Sequence, residues 1–176
     1  MTSLARAAAR GFTLIELMVA LAIAVLLLVL AAPGYATWVA DQQIRAGAES
    51  VASGLRLAHA EAIRRNWQVE FVVDPAVGWQ ITPVGGALYQ EARFGEGSDR
   101  AVFTATPSTA TTVTFDGLGR IVAANADASA VLTAMAITHP VSGSRSLTVL
   151  VGGGRTGIKI CDPAVSDTTS PRFCTT

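Results

Sequence analysis

The spacing of hydrophobic residues changes twice along this chain. Residues 17–32 are all apolar and directly follow a single acid, Glu16. Further on, apolar residues recur at alternating spacings of four and three, which places them on one face of a helix that we expect to end near Arg65. The members of this face are Ile44, Ala48, Val51, Leu55, Ala58 and Ala62. The two patterns predict one long helix that is apolar in its first part and amphipathic over residues 33–65.

After Asn66 the pattern becomes that of short β-strands separated by turn residues. We predict strands at residues 67–73, 79–82, 111–115, 120–123, 132–138, 146–151 and 158–161. Glycines at positions 85, 86, 95 and 97 mark irregular chain. A long helix followed by antiparallel strands predicts an α+β fold, in which the amphipathic part of the helix packs on a sheet domain of residues 66–176.

Length and charge indicate one modest domain with an apolar N-terminal segment. The chain has 176 residues and a formal net charge of zero. As a helix with a rise of about 1.5 Å per residue, residues 12–32 span about 30 Å, which matches the hydrocarbon core of a membrane. Arg6 and Arg10 precede this segment, and by the positive-inside tendency they place the N-terminus in the cytoplasm. The balanced charge gives no general sign of nucleic-acid binding.

Residues 11–19, with the sequence Gly-Phe-Thr-Leu-Ile-Glu-Leu-Met-Val, closely resemble the N-terminus of type IV pilins and type II secretion pseudopilins. The resemblance implies that a prepilin peptidase cuts after Gly11 and then methylates the new amino group of Phe12. It also implies that Glu16 pairs with the terminal amine of a neighbouring subunit, and that the first helix is bent near Pro33. Such pairing has a physical reason, because a lone acid at the bilayer centre costs about 2.5 kcal/mol or more.

The same resemblance implies a single-pass protein of the bacterial inner membrane. Residues 1–11 form the leader that is removed, residues 12–32 form the anchor, and the rest of the chain faces the periplasm. The alternative is an ordinary secretory signal peptide followed by a soluble domain. Against it, the apolar run is longer than the usual core of about 7–15 residues. A cut after the run would also leave Pro33 at the N-terminus, and a signal peptide has no use for Glu16.

The two cysteines, Cys161 and Cys174, lie in the part of the chain that would face the periplasm. In that oxidising compartment we predict a disulfide bond between them, which ties down the C-terminal tail. Closing a loop of this length stabilises a fold by about 3 kcal/mol. A zinc site is the weaker alternative, because no histidine lies near either cysteine in the sequence.

No set of catalytic residues stands out. His59 and His139 are the only histidines, and we interpret each as structural or solvated rather than as a catalyst or ligand. Residues 152–157 match the letters G-x-G-x-x-G, but an extended stretch and Asp162-Pro163 follow where a dinucleotide site needs a helix. We therefore expect a protein that is not an enzyme and that uses no cofactor or metal.

A second resemblance covers Thr-Val-Thr-Phe-Asp-Gly-Leu-Gly-Arg at residues 112–120, which is similar to the GspH/FimT group of minor pilins and pseudopilins. By itself the segment indicates only a hairpin, with glycines that accept positive φ. The resemblance implies a minor pilin of the FimT/FimU type, a structural subunit that helps to initiate or cap a type IV pilus together with other minor pilins. The cysteine pair favours this branch. The alternative is pseudopilin H of a type II secretion system.

DNA binding is a further function that the resemblance to FimT-like proteins implies, through basic residues near the C-terminus. The candidates here are Arg145, Arg155, Lys159 and Arg172. Their cations can contact phosphates while loop glycines let the backbone approach. Asp162 and Asp167 dilute this positive charge, and no series of aromatic residues accompanies it. A solvated, disulfide-tied tail is therefore the alternative interpretation.

Overall fold

The computed structural model describes residues 12–152 and 157–174, and the chain divides into two compact units. The first unit ends at Ala36, and the second is Thr37–Thr176. Helix α1, Leu14–Arg65, has 52 residues and passes Pro33 without interruption. The prediction of one long helix that ends near Arg65 is therefore confirmed.

Both ends of α1 carry capping structures. At the start, the hydroxyl of Thr13 accepts the backbone N–H of Glu16 at 3.3 Å, as an N-cap side chain does. At the end, Asn66 adopts a left-handed φ of 48°, and the N–H of Trp67 reaches back to the carbonyl of Ala62 at 3.2 Å. This arrangement is a Schellman motif, which stops the helix and gives partners to carbonyl groups of its last turn.

Within the described residues, eight strands form two antiparallel sheets of four strands each. The strands are β1 Val69–Asp74, β2 Gly78–Pro83, β3 Gln90–Arg93, β4 Val102–Thr106, β5 Thr112–Phe115, β6 Ala134–Thr138, β7 Leu147–Val151 and β8 Ile158–Cys161. The first sheet has the order β3-β2-β1-β5, and the second has the order β4-β6-β7-β8. A long helix packed on antiparallel sheets confirms the predicted α+β class.

The glycines at positions 85, 86, 95 and 97 lie in turns or bends, as predicted, but the sequence pattern missed two strands, β3 and β4, in the chain between residues 83 and 110. β3 is a polar and mostly exposed strand at a sheet edge, so it lacks the alternation that marks a half-buried strand. β4 does alternate, with Phe103 and Ala105 buried, but it is only five residues long and follows glycine-rich chain. Backbone pairing with neighbouring strands, rather than local sequence, defines both elements.

The prediction of a strand at residues 120–123 is wrong. Ile121 makes only an isolated bridge to Phe115. The chain before it stays in a tight turn, in which Gly119 has a φ of 77° and the N–H of Arg120 donates to the side chain of Asp116. The turn predicted from the glycines is therefore present, without a regular second strand.

The buried face of α1 packs against both sheets. Two glycines on this face allow the close approach. A Cβ at Gly54 would lie 2.8 Å from the ring of Phe71 and 2.9 Å from that of Trp79, in the first sheet. A Cβ at Gly47 would lie 2.8 Å from the ring of Phe103, in the second sheet. All predicted members of the helical stripe are buried, so one core joins the helix and the two sheets.

Candidate functional site

The first unit exposes the apolar side chains of α1. Every large hydrophobic residue from Phe12 to Leu30 has at least 54 % of its surface exposed. Within the described residues, α1 is the one helix that is long and apolar enough to cross a membrane, judged by length and composition. A helix with apolar side chains on every side is stable when lipid or other apolar helices surround it.

The residues that the pilin resemblance singles out lie around the start of this helix. Gly11 lies outside the described residues. Phe12 is exposed and directly precedes the capping residue Thr13, and Glu16 stands in the first turn, where the helix dipole favours a carboxylate. Pro33 lies inside the helix. Cleavage, methylation and amine pairing at these positions stay predictions. The cap itself has a sequence signal, the Thr-x-x-Glu spacing of a capping box.

The C-terminal tail is tied to β8. Cys161 and Cys174 form a disulfide, as predicted. Next to it, the N–H of Asp162 donates to the carbonyl of Arg172 at 2.8 Å. The tail therefore returns to the strand from which it leaves.

The basic candidates for DNA binding do not all meet in the part of the chain that the structure describes. Arg155 lies outside it. The ammonium group of Lys159 is half-buried and donates to the carbonyl of Phe173 at 2.7 Å, so it is engaged within the tail. Arg145 and Arg172, in contrast, line the same cleft.

This cleft has a volume of about 470 Å³ and lies between α1 and the end of the second sheet. A third arginine, Arg45 on α1, joins Arg145 and Arg172 there, although nothing in the sequence connects it with them. The cleft is also lined by three acids, Asp41, Glu49 and Asp162. Its guanidinium groups can contact an anion, but its charged side chains carry no surplus of positive charge.

The two histidines lie in separate surroundings. Nε2 of His139 is 3.1 Å from Oε1 of Gln43, and its Nδ1 accepts the N–H of Val141. His59 meets the ring of Phe115 edge-on, with the ring centres 5.7 Å apart. Among the described residues, no group of three or more His, Cys, Asp or Glu side chains is placed to hold a metal ion.

A buried ion cluster lies near the end of α1. Glu61 is buried and accepts hydrogen bonds from Arg64 at 2.7 Å and from Arg65 at 2.9 Å. These bonds lower the pKa of Glu61 from 4.5 to about 2. The guanidinium group of Arg65 also lies 5.0 Å from the ring centre of Tyr89. A pKa lowered in this way is typical of a stabilising ion pair rather than of a general acid.

Comparisons with known families agree with this architecture. The family model described as "Type II transport protein GspH" matches residues 47–154, which is more than half of the chain. The model described as "Prokaryotic N-terminal methylation motif" matches residues 6–32. No curated protein and no solved structure gives a significant match. The chain therefore belongs to the GspH family, as a type IV pilin-like minor pseudopilin with an N-terminal methylation motif.

Proposed function

We propose that this chain is a structural, non-enzymatic subunit that helps to initiate or cap a type IV filament in the bacterial inner membrane. One observation carries the proposal. Within the segment that matches the methylation motif, residues 14–32 are helical and their large apolar side chains are exposed up to Leu30, and a GspH domain follows. A secretory signal peptide would be cut away during export, whereas a filament subunit keeps this helix as its membrane anchor.

In this proposal a prepilin peptidase cuts after Gly11 and methylates Phe12, and residues 12–32 stay in the membrane. Glu16 then lies in the first helical turn, close to the new amino terminus. Where water is scarce, an ammonium group of a neighbouring subunit stabilises this carboxylate, since an isolated charge costs about 2.5 kcal/mol or more at the bilayer centre. The partners are therefore other minor pilins or pseudopilins.

Mass spectrometry of the mature protein tests this proposal. We expect the first peptide to begin with Phe12 and to carry one methyl group. Gly11→Ala should leave the leader attached, while Glu16→Ala should be processed normally but be depleted from assembled filaments. A mature chain that begins after Pro33 would contradict the proposal, because the anchor would then be missing.

Two machines are compatible with this role. We favour the tip of a type IV pilus, because the cysteine pair of the C-terminal tail favours that branch. The alternative is pseudopilin H of a type II secretion system. The family description names type II transport, which supports the alternative. A strain that lacks the chain distinguishes them. Loss of surface pili with normal protein export supports the pilus, and loss of export with normal pili supports the secretion system.

DNA binding is a second, weaker candidate. Arg145 and Arg172 share a cleft, which favours contact with an anion, whereas the acids of the cleft and the engaged ammonium group of Lys159 oppose it. Mobility-shift experiments on the full-length chain in detergent, at several salt concentrations, test this function. Arg145→Ala with Arg172→Ala should abolish a shift seen at low salt. The matched control replaces two exposed arginines elsewhere, Arg93 and Arg100, by alanine. Equal shifts in both variants would remove the candidate.

A further inference from the structure

One side chain sets the shape of the loop in the Asp-Gly-Leu-Gly-Arg motif. The carboxylate of Asp116 accepts the N–H of Leu118 at 2.9 Å and that of Arg120 at 2.8 Å, and its second oxygen accepts Nε of Arg120 at 2.9 Å. Two backbone hydrogen bonds of 2.8 Å, from Gly119 to Asp116 and from Asp116 to Arg120, close the same loop. Donors led by the N–H of Arg120 hold the pKa of Asp116 below its ordinary value. The loop is therefore ordered before any partner binds.

The C-terminal end of α1 and the residue that follows it pack directly against this loop. A Cβ at Gly117 would lie 2.7 Å from Oδ1 of Asn66. Gly119 has a φ of 77°, and a Cβ there would lie 2.6 Å from Nε2 of His59. Both glycines are needed for this close packing, which fixes the position of the residue between them, Leu118.

Leu118 is 70 % exposed although it is held in place. It shares a shallow groove with Trp67, which is 59 % exposed and is itself fixed by a hydrogen bond from its Nε1 to the carbonyl of Val84 at 3.0 Å. Ile63, 48 % exposed, lies under the same loop. We call Ile63, Trp67 and Leu118 the Leu118 patch. Rigid apolar groups lose little conformational entropy when a partner covers them, which is the property of an interface anchor.

Two ion pairs lie on the segments that carry the Leu118 patch, and in each pair the arginine is the exposed partner. The side chains of Arg64 and Arg120 are 63 % and 73 % exposed, whereas those of their partners, Glu61 and Asp116, are 8 % and 22 % exposed. Arg64 directly follows Ile63 in the chain, and Arg120 belongs to the loop of Leu118. The exposed charge on these two segments, which we call the rim of the patch, is therefore positive.

We infer that the Leu118 patch is a docking site for an apolar side chain flanked by carboxylates on another pilin-like subunit. The existence of such a subunit rests on the proposed function; the choice of this surface does not. The apolar side chain covers Leu118 and Trp67, and the carboxylates meet the exposed guanidinium groups of Arg64 and Arg120. A two-fold contact between copies of this chain is disfavoured, because it would bring two positive rims together.

Site-specific photocrosslinking tests this inference. A photoreactive residue, p-benzoylphenylalanine, replaces Leu118 in the full-length chain in its native host, and the crosslinked peptides are identified by mass spectrometry. We expect a peptide of another pilin-like subunit in which an apolar residue neighbours Asp or Glu. The matched control carries the same residue at Val77, an exposed apolar position between β1 and β2. Crosslinks to lipid, to a second copy or to an unrelated protein overturn the inference, as does a yield no higher than at Val77.

A substitution then measures the contribution of the anchor. With the photoreactive residue moved to Ile63, Leu118→Ala should lower the yield of the crosslinked subunit about tenfold, as for an interface anchor. Thermal unfolding should not change, because the side chain is exposed. Val77→Ala should change neither quantity. An unchanged yield in Leu118→Ala, with methylated Phe12 and filament subunits still present, overturns the docking site and leaves the proposed function standing. Absence of methylated Phe12 counts against the proposed function instead.

Discussion

The two stretches of α1 differ in how their apolar residues are covered. From residue 17 to residue 32 the helix is apolar on every side, and its large side chains up to Leu30 are exposed. Between Ala40 and Ala62 only one face is apolar, and that face is buried. A helix that is apolar all round needs a surrounding medium, whereas an amphipathic helix needs one partner surface. What must cover each stretch of the helix is therefore set by the arrangement of its apolar residues around the helix axis, rather than by their number.

The largest expected difference between the two stretches comes from shortening a leucine. Leu55→Ala should lower the free energy of unfolding by about 3 kcal/mol, because it leaves a cavity where a fully buried side chain packs. Leu26→Ala should change it by less than about 0.5 kcal/mol, because that side chain is exposed. Denaturant unfolding of the full-length protein in detergent, followed by near-ultraviolet circular dichroism, measures both. Equal losses of stability in the two variants would contradict the conclusion that the two stretches are covered differently.

Two glycines of α1, one in each stretch, should respond in opposite directions to the addition of a methyl group. Gly54→Ala should destabilise by about 2 kcal/mol, because its Cβ would meet the rings of Phe71 and Trp79 at 2.8 to 2.9 Å. Gly34→Ala should instead stabilise by about 0.5–1 kcal/mol, since nothing lies within 4 Å of its Cβ position and alanine favours a helix. The same unfolding experiment compares them, and a loss of stability in both variants would contradict the assignment.

The buried glutamate near the end of α1 should make the stability of the second stretch depend on pH. Bonds from Arg64 and Arg65 lower the pKa of Glu61 from 4.5 to about 2. The stabilisation is therefore complete above pH 4.5 and is lost as pH falls toward 2. Glu61→Gln should cost about 1–2 kcal/mol at pH 7 and remove this part of the acid sensitivity. Parallel acid dependence in wild type and Glu61→Gln would refute the prediction.

The smallest expected effect is the coupling between the two stretches. In the double variant Leu55→Ala with Leu26→Ala, the two changes in unfolding free energy should add to within about 0.5 kcal/mol, because the two side chains share no partners. A larger deviation would show that the anchor and the buried face of the helix stabilise each other.

The spacing of residues along the chain was sufficient to predict the helix and most strands. The stripe from Ile44 to Ala62 is a 3.6-residue pattern, and β1 and β6 combine β-branched or apolar residues with flanking turns. β3 was beyond this reasoning, because Gln90–Arg93 is a polar edge strand that only its pairing with β2 defines. The prediction of a strand at residues 120–123 was wrong for the opposite reason. There the sequence looks like a strand, but the hydrogen bonds of Asp116 hold the chain up to Arg120 in a turn.

The candidate sites also differ in whether the sequence alone can show them. The processing motif around Gly11 and Glu16 is contiguous, so the sequence carries all of it. The cleft that joins Arg45 to Arg145 and Arg172 is not contiguous, and it exists only because the second sheet packs beside α1. Nor does the sequence reveal that the ammonium group of Lys159 is engaged by a carbonyl of the tail.

Local order along the chain was enough to determine the anchor, the amphipathic helix, the class of fold and the family, because periodicity and short motifs are properties of neighbouring residues. Two features became visible only once the chain was folded: two sheets share one core with α1, and the turn of the Asp-Gly-Leu-Gly-Arg motif holds Leu118 beside Trp67. These features depend on distances between segments far apart in sequence. Such distances are set by packing volume and by the backbone hydrogen bonds between strands, which no local pattern records.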